Sequence, residues 1–282
     1  MKAELLAILA CPYCRDGLCL GKEQLDCNKC AHSFALQNGI PNFLPEPAAI
    51  MPGEHQSNTI GPEFEEILRR GEGLTLHLGA GATSVRHPNC VEFEHKMFRH
   101  TDVVGDAHAL PFRDEVFERV FAFNVFEHLR EPARAAAEIR RVLKPVGELV
   151  VHTAFLQALH EAPHHYYNAT EFGVREWFHD FEIDGCDVSG NFSPGFMLGF
   201  LAASVLHSLE ESTLSAAEQA QVAGTTLLDW AQFWRRKCAA PPDFGALLTL
   251  PQELQKRIAA GFELRARKSK QSLTNTRDRK VD

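Results

Sequence analysis

The stretch Leu76-His77-Leu78-Gly79-Ala80-Gly81-Ala82 decides the fold: an apolar run breaks abruptly into a glycine turn. Gly79 and Gly81 lack Cβ, so the backbone there can turn sharply and lie against a ligand. A second apolar run ends in acid at Glu92 and Glu94, and Asp106 follows a third. In an α/β sheet that order places carboxylates at the carboxyl ends of neighbouring strands, where a nucleoside can be held.

Working outward, the spacing predicts strands over Leu74–Leu78, Cys90–Glu94, Asp102–Val104, Arg119–Phe123 and Glu148–Thr153. Between them, Glu131–Leu143 is expected to be a helix, with Ala135, Ile139, Val142 and Leu143 on its apolar face. Arg134, Glu138 and Arg141 fall on the other face, and Pro145-Val146-Gly147 is expected to stop it. A further helix is framed by Gly61-Pro62 and Gly71 over Glu63–Arg70. Thr170–His179 has helical character, and Phe181–Val188 reads as an added strand, placed on the sheet edge. Strands alternating with helices argue a parallel α/β sheet. Beyond Ser193 three helices are expected, over Phe196–Glu211, Ser215–Ala239 and Pro251–Arg267. Phe196–Leu206 is the longest apolar segment. It is too short to span a bilayer, which takes roughly 18 residues or more, and is expected to be a buried helix.

Composition narrows the class. In 282 residues, 45% are hydrophobic and 23% charged, as in ordinary globular chains. The formal net charge of −8 disfavours a nucleic-acid partner, without excluding a local basic patch. No signal pattern opens the chain, so a cytoplasmic location is expected.

The first 45 or so residues behave as a unit. Cys11-Pro12-Tyr13-Cys14 and Cys27-Asn28-Lys29-Cys30 are two CxxC knuckles separated by twelve residues. Each knuckle presents two thiolates, and zinc takes four in a tetrahedron. Cys11, Cys14, Cys27 and Cys30 are therefore expected to hold a structural zinc, since four thiolates leave no position for substrate. Cys19 is left as a spare, and Cys90, Cys186 and Cys238 as packed thiols.

Three further groups of residues bear on chemistry. His160, His164, His165, Tyr166 and Tyr167 crowd the segment after the last strand, where α/β sheets bind ligands. Histidine titrates near neutral pH and, like tyrosine, can take or hold an acceptor's proton. The other reading is a loop whose rings cap helix ends. His128, after Glu127, reads as a structural hydrogen-bonder and is kept as a catalytic candidate with His160, His164, His165 and Tyr166. Trp177, Trp230, Phe233 and Trp234 read as core aromatics, and Arg265, Arg267, Lys268 and Lys270 as a solvated basic run.

Two resemblances sharpen these expectations. Leu5–Leu44, with its CPxC, second CxxC and Gly39-Ile40-Pro41-Asn42-Phe43-Leu44 ending, resembles the small zinc-ribbon proteins that partner and activate methyltransferases. Leu74–Phe181 resembles class I S-adenosylmethionine-dependent methyltransferases. The likeness rests on Leu78-Gly79-Ala80-Gly81, the acid after strand two and Asp106-Ala107-His108-Ala109-Leu110-Pro111-Phe112, and continues through Glu127-His128-Leu129 to Arg141-Val142-Leu143-Lys144-Pro145-Val146-Gly147. It implies an α/β, Rossmann-like, mostly parallel sheet with helices on both faces, a small N-terminal zinc ribbon and a helical C-terminal extension.

It also implies that Gly79, Ala80 and Gly81 contact the cofactor's amino-acid part. Period-two alternation puts Glu92 and Glu94 on one face without choosing between them; the resemblance favours Glu94 for the ribose. Asp106 and Ala107 would meet the adenine, and Asn124 would form the floor of the pocket. His77 stands where the family often carries an acid that orients the methionine ammonium.

The implied function is methyl transfer from S-adenosylmethionine to a small-molecule or glycan acceptor. Methylation of rRNA or tRNA, and a non-catalytic interaction module that keeps the fold, are the alternatives. The expected layout is a zinc ribbon over 1–46, a linker and helix over 47–72, the cofactor-binding domain over 73–190, a helical extension or lid over 191–267 and a disordered tail over 268–282.

Overall fold

In a computed structural model of the chain, residues 3–53, 60–236, 247 and 249–258 are described. The run before the glycine turn forms β5 (Thr75–Leu78), fully buried and central in a five-stranded sheet. Its neighbours are β6 (Cys90–Glu94), β7 (Val103–Val104), β8 (Phe117–Phe123) and β9 (Leu143–His152), in the order β7-β6-β5-β8-β9. All four pairings are parallel. The strand order reverses at β5, so the crevice at its carboxyl end is a topological switch point.

Period-two alternation sorts β8 between two faces. Phe121 and Phe123 meet α2 (Pro62–Arg70) through Leu68, while Val120 and Ala122 meet α3 (Pro132–Val142) through Ile139 and Val142. Helices thus cover both faces. Pro62 opens α2 and Gly71, in the left-handed region, closes it.

Two boundaries differ from expectation. The helix α3 ends at Val142, before Pro145, because the residue ahead of a proline is pushed out of helical geometry. The strand β9 starts at once, and its register slips between the Phe117–Leu143 and Arg119–Glu148 pairs, absorbing Lys144-Pro145-Val146-Gly147 as a bulge. Phe181–Val188, expected as an edge strand, is irregular. Phe181 and Ile183 pack against the core, but among the described residues no strand pairs with them.

Glu138 is a third correction. Its position on α3 was expected to face solvent, yet it is buried at 9% exposure. It accepts from Arg15 at 2.8 Å, Arg141 at 2.8 Å and the Leu110 backbone N–H at 2.9 Å. Arg15 comes from the N-terminal unit, so α3 is tied to a segment 123 positions away.

That unit comprises α1 (Ala3–Ile8) and the antiparallel strands β1 (Leu18–Leu20), β2 (Gln24–Cys27), β3 (Ser33–Gln37) and β4 (Ile40–Pro41). Its buried Leu9, Leu25, Phe34 and Phe43 belong to the same core as Leu76, Phe93 and Phe112. Phe43 N–H donates to Val104 O at 2.8 Å and Asn42 bridges Val104 in parallel fashion, which continues the sheet past β7. The proline-rich stretch after it is strapped down: Ala48 N–H donates to Gln37 Oε1 at 2.9 Å, and Ile50 bridges Met97.

The α4 helix (Glu171–Trp177) is capped by Thr170, whose Oγ1 accepts from Gly173 N–H at 3.2 Å. The chain divides into two compact units, Met1–Leu198 and Gly199–Asp282. The α5 helix (Pro194–Glu210) runs across that division. It is not the buried helix expected: Phe196, Leu198 and Leu206 are exposed, at 43–47%.

In the second unit the helix expected over Ser215–Ala239 is two, α6 (Ala216–Gly224) and α7 (Leu227–Arg236). Gly224, Thr225 and Thr226 are poor helix formers, and Thr226 caps the new start through Asp229. Leu209, Val222, Leu250 and Leu254 form this unit's small core, the last from α8 (Gln252–Ile258). Trp230 packs against that core. Cys238, Pro241, Pro242, the side chains of Phe233 and Trp234, the basic run and the 268–282 tail lie outside the described residues. Among the described residues no helix is long and apolar enough to cross a membrane.

Candidate functional site

The turn after β5 has the geometry its glycines suggested. Gly79 and Gly81 both take positive φ, 67° and 64°. A Cβ on Gly79 would lie 2.3 Å from Val125 Cγ2, so any side chain there is excluded sterically as well as conformationally. The flanking Ala80 and Ala82 are buried.

The two β6 acids share a face and do different things. Glu94 accepts from Gly81 N–H at 2.6 Å and from His95 N–H at 2.9 Å, so it braces the turn. Burial raises its pKa against the pull of these donors. Glu92 is more deeply buried, at 3% exposure, and accepts from the Thr83 hydroxyl at 2.7 Å. Its Oε2 has no partner, and burial pushes its pKa up to about 7.

Asp106 caps a short turn over Ala107–Ala109, accepting from His108 N–H at 2.9 Å and from His108 Nδ1 at 2.5 Å. The His108 ring holds the Asp106 carboxyl below the usual range. Ala107 is buried beside it. Asn124 sits at φ 57°, donating its N–H to His152 O at 2.9 Å, next to the Val125 that fills the space over Gly79. His77 is buried at 3% exposure, edge-on to Phe123 at 5.8 Å, with Nδ1 unpartnered. Burial drops its pKa to about 4, so the ring is neutral. A groove of about 550 Å³ between α2 and residues 85–89 contains none of these residues.

The histidine segment folds back onto the residues after β8. Tyr166 and Tyr167 N–H groups both donate to Glu127 O, at 2.8 and 3.2 Å. This brings the His128, His160 and His165 rings together, with centroids 4.1 to 5.7 Å apart. His164 lies apart from them, its Nδ1 3.3 Å from the Tyr166 hydroxyl, which also accepts from Arg130 at 3.1 Å. Trp177 stacks on Phe126 and meets Tyr167 edge-on, a packing role. Glu127 was not singled out from the sequence, yet it is fully buried beneath this cluster. Only the Glu-His pairing hinted at it.

In the N-terminal unit the four knuckle sulfurs converge. Cys11 and Cys30 Sγ are 3.5 Å apart and Cys14 and Cys27 Sγ 3.4 Å, with all four within 4.8 Å of one another. Four sulfurs about 2.3 Å from one zinc ion lie about 3.8 Å apart, so the set fits that ion. The Cys30 backbone N–H, with that of Lys29, brings the Cys27 thiol down to about 6, which favours the thiolate. Cys19 stays outside, accepting from Asn28 at 3.1 Å.

Against known proteins, residues 82–151 match the family described as "Methyltransferase domain". The chain is 32% identical over 109 residues to an uncharacterized methyltransferase of Schizosaccharomyces pombe, covering 39% of this chain and 32% of that protein. It therefore spans about a third of that relative's length. A solved putative methyltransferase from Bacillus halodurans is similar at 18% identity and a TM-score of 0.32, over 43% of this chain and 68% of that one. The match over residues 82–151 is to a methyltransferase domain, and it is the sequence likeness that carries this assignment. Over 58 residues, 20% of the chain, it is 38% identical to a UPF0434 protein of Methylobacillus flagellatus and covers 97% of it. Over that stretch the chain belongs to the UPF0434 family.

Proposed function

We propose that this protein is an S-adenosylmethionine-dependent methyltransferase acting on a small-molecule or glycan acceptor. The observation that carries the reading is the bare turn at Gly79–Gly81, at the switch point of a parallel sheet, with the Glu94 carboxylate against it. A turn with positive φ at both glycines and no phosphate-cradling third glycine suits an adenosyl ligand without phosphates.

The cofactor supplies an electrophilic methyl group on its sulfonium. The chain's own residues then have to hold and orient. Gly79, Ala80 and Gly81 offer backbone, Glu94 an acceptor for ribose hydroxyls, and Asp106 with Ala107 a polar and an apolar contact for the adenine. Asn124 closes the floor, and His77 lines the base of the turn as a neutral ring. His128, His160, His164 and Tyr166 are the candidates to position an acceptor and accept its proton, while His165, with both ring nitrogens bonded to backbone, supports them by packing. Cys11, Cys14, Cys27 and Cys30 hold a structural zinc in a unit too small to be stable on its own core.

Calorimetric titration with S-adenosylmethionine tests the reading. Saturable binding at one site per chain supports it. Absence of both heat and thermal shift at excess ligand would favour an interaction module that keeps the fold.

A further inference from the structure

A cluster at the carboxyl ends of β8 and β9 has the composition of a metal site and is separate from the four cysteines. Glu127 and His128 come from the turn after β8, and His160 from the segment after β9. One ligand atom from each lies within 4.8 Å of the other two. Ligands 2.0–2.1 Å from a common ion sit about 3–4 Å apart, so binding requires only a modest closure of the rings.

The hydrogen bonds around the cluster leave it suited to a cation. Glu127 is fully buried; Oε2 accepts from the Thr153 hydroxyl at 2.9 Å, but Oε1 has no partner. A buried carboxylate oxygen without a donor is costly, and a bound cation would satisfy it. His128 Nδ1 is 2.9 Å from His164 O, and His160 Nδ1 is 3.0 Å from Ala158 O. A carbonyl can only accept, so Nδ1 of each ring is the donor and Nε2 is the nitrogen left to act as a ligand atom. Metal-ligating histidines are fixed in this way, by a carbonyl on the other ring nitrogen.

His165 plays a supporting part. Its Nδ1 accepts from His160 N–H at 3.3 Å and its Nε2 is 3.1 Å from Tyr167 O, so both nitrogens are committed to the backbone. Its ring packs on that of His160 at 4.1 Å. The Tyr166 and Tyr167 amides on Glu127 O pin the two segments to each other.

We propose that Glu127, His128 and His160 bind one divalent transition-metal ion. Two imidazoles and one carboxylate suit zinc, iron(II), cobalt(II) or nickel(II) rather than calcium or magnesium. Three protein ligands leave at least one position for an exogenous oxygen ligand, and a hydroxyl- or carboxylate-bearing acceptor is of that class. Only this last role rests on the methyltransferase reading; metal binding itself does not.

The test titrates cobalt(II) into the full-length protein with its cysteine site loaded with zinc, followed by visible absorption and calorimetry. One cobalt per chain is expected, with ligand-field bands but no intense thiolate-to-cobalt charge-transfer band. His160→Asn, a change at a half-buried ring, and Glu127→Gln, which keeps the shape, are each expected to weaken binding at least tenfold while circular dichroism is unchanged. No cobalt uptake by the unmutated protein overturns the proposal, as does uptake that His160→Asn leaves unaltered. A parallel titration with S-adenosylmethionine separates the two readings. Normal cofactor binding without cobalt uptake removes the metal site alone, and cobalt uptake without cofactor binding removes the methyltransferase reading alone.

Discussion

The Glu94 carboxylate accepts a 2.6 Å hydrogen bond from the Gly81 backbone N–H, joining the end of one strand to the turn after its neighbour. One acid thus holds the shape of the glycine turn, and under the proposed function it is also the acceptor for the ribose hydroxyls.

Glu94→Gln separates these roles. The amide oxygen can still accept from Gly81, while the His95 N–H loses its acceptor and the charge that strengthens bonds to ribose hydroxyls is gone. The expected outcome is at least a tenfold loss of S-adenosylmethionine affinity by calorimetry, with little change in thermal midpoint.

Gly79→Ala acts on the fold itself. Positive φ and a methyl group driven into Val125 should together cost about 2–4 kcal/mol. Urea unfolding monitored by fluorescence would read this. A loss below about 1 kcal/mol would mean that the turn relaxes freely.

Two buried groups on one sheet face should give opposing pH effects. The Glu92 pKa is raised from 4.5 to about 7, so the folded state binds the extra proton and stability falls as pH rises from 4.5 to 7. The His77 pKa is lowered from 6.5 to about 4, so the unfolded state binds the extra proton and stability rises as pH rises from 4 to 6.5. Each spans about 3 kcal/mol, at 1.36 kcal/mol per pKa unit, and they largely cancel. Removing either group alone should therefore tilt the denaturation curve across pH 4–7 relative to that of the unmutated protein. Glu92→Gln should expose the rising slope and His77→Phe the falling one.

Glu138→Ala removes the acceptor shared by Arg15, Arg141 and the Leu110 amide. Leaving two guanidinium groups and a buried N–H without it should cost about 3 kcal/mol. Thermal unfolding should show the N-terminal unit loosening first, since Arg15 is its tie to α3.

Zinc at the four cysteines is expected to be released by a thiol-mercurating reagent at one ion per chain. Cys14→Ser or Cys30→Ser should lose that ion and lower the thermal midpoint, because Leu9, Leu25 and Phe34 share the sheet's core. Elemental analysis after desalting would show whether a variant retains the metal.

Local pattern was enough to find the five strands, both sheet-flanking helices and the converging cysteines. Apolar runs, a glycine turn and CxxC spacing are short-range signals. Glu138 was misplaced because helical periodicity cannot register an arginine 123 positions away. Glu127 was missed for a related reason: the segment that folds back over it, tied by the Tyr166 and Tyr167 amides to its backbone carbonyl, is nearly forty residues on. Phe181–Val188 alternates like a strand, but alternation records which side chains turn inward, not whether a ladder partner is present. The split of the helix expected over Ser215–Ala239 is visible at Thr226 and Asp229, a capping pair that an apolar count passes over.

The bridge from Asn42 and Phe43 to Val104 has a consequence for solubility. Val103–Val104 would otherwise be a bare rim of unsatisfied peptide groups, open to strand addition by other chains. The N-terminal unit therefore acts as a guard against self-association. A protein cut back to begin at residue 47 should precipitate or form soluble aggregates on gel filtration, even if the turn at Gly79–Gly81 is intact.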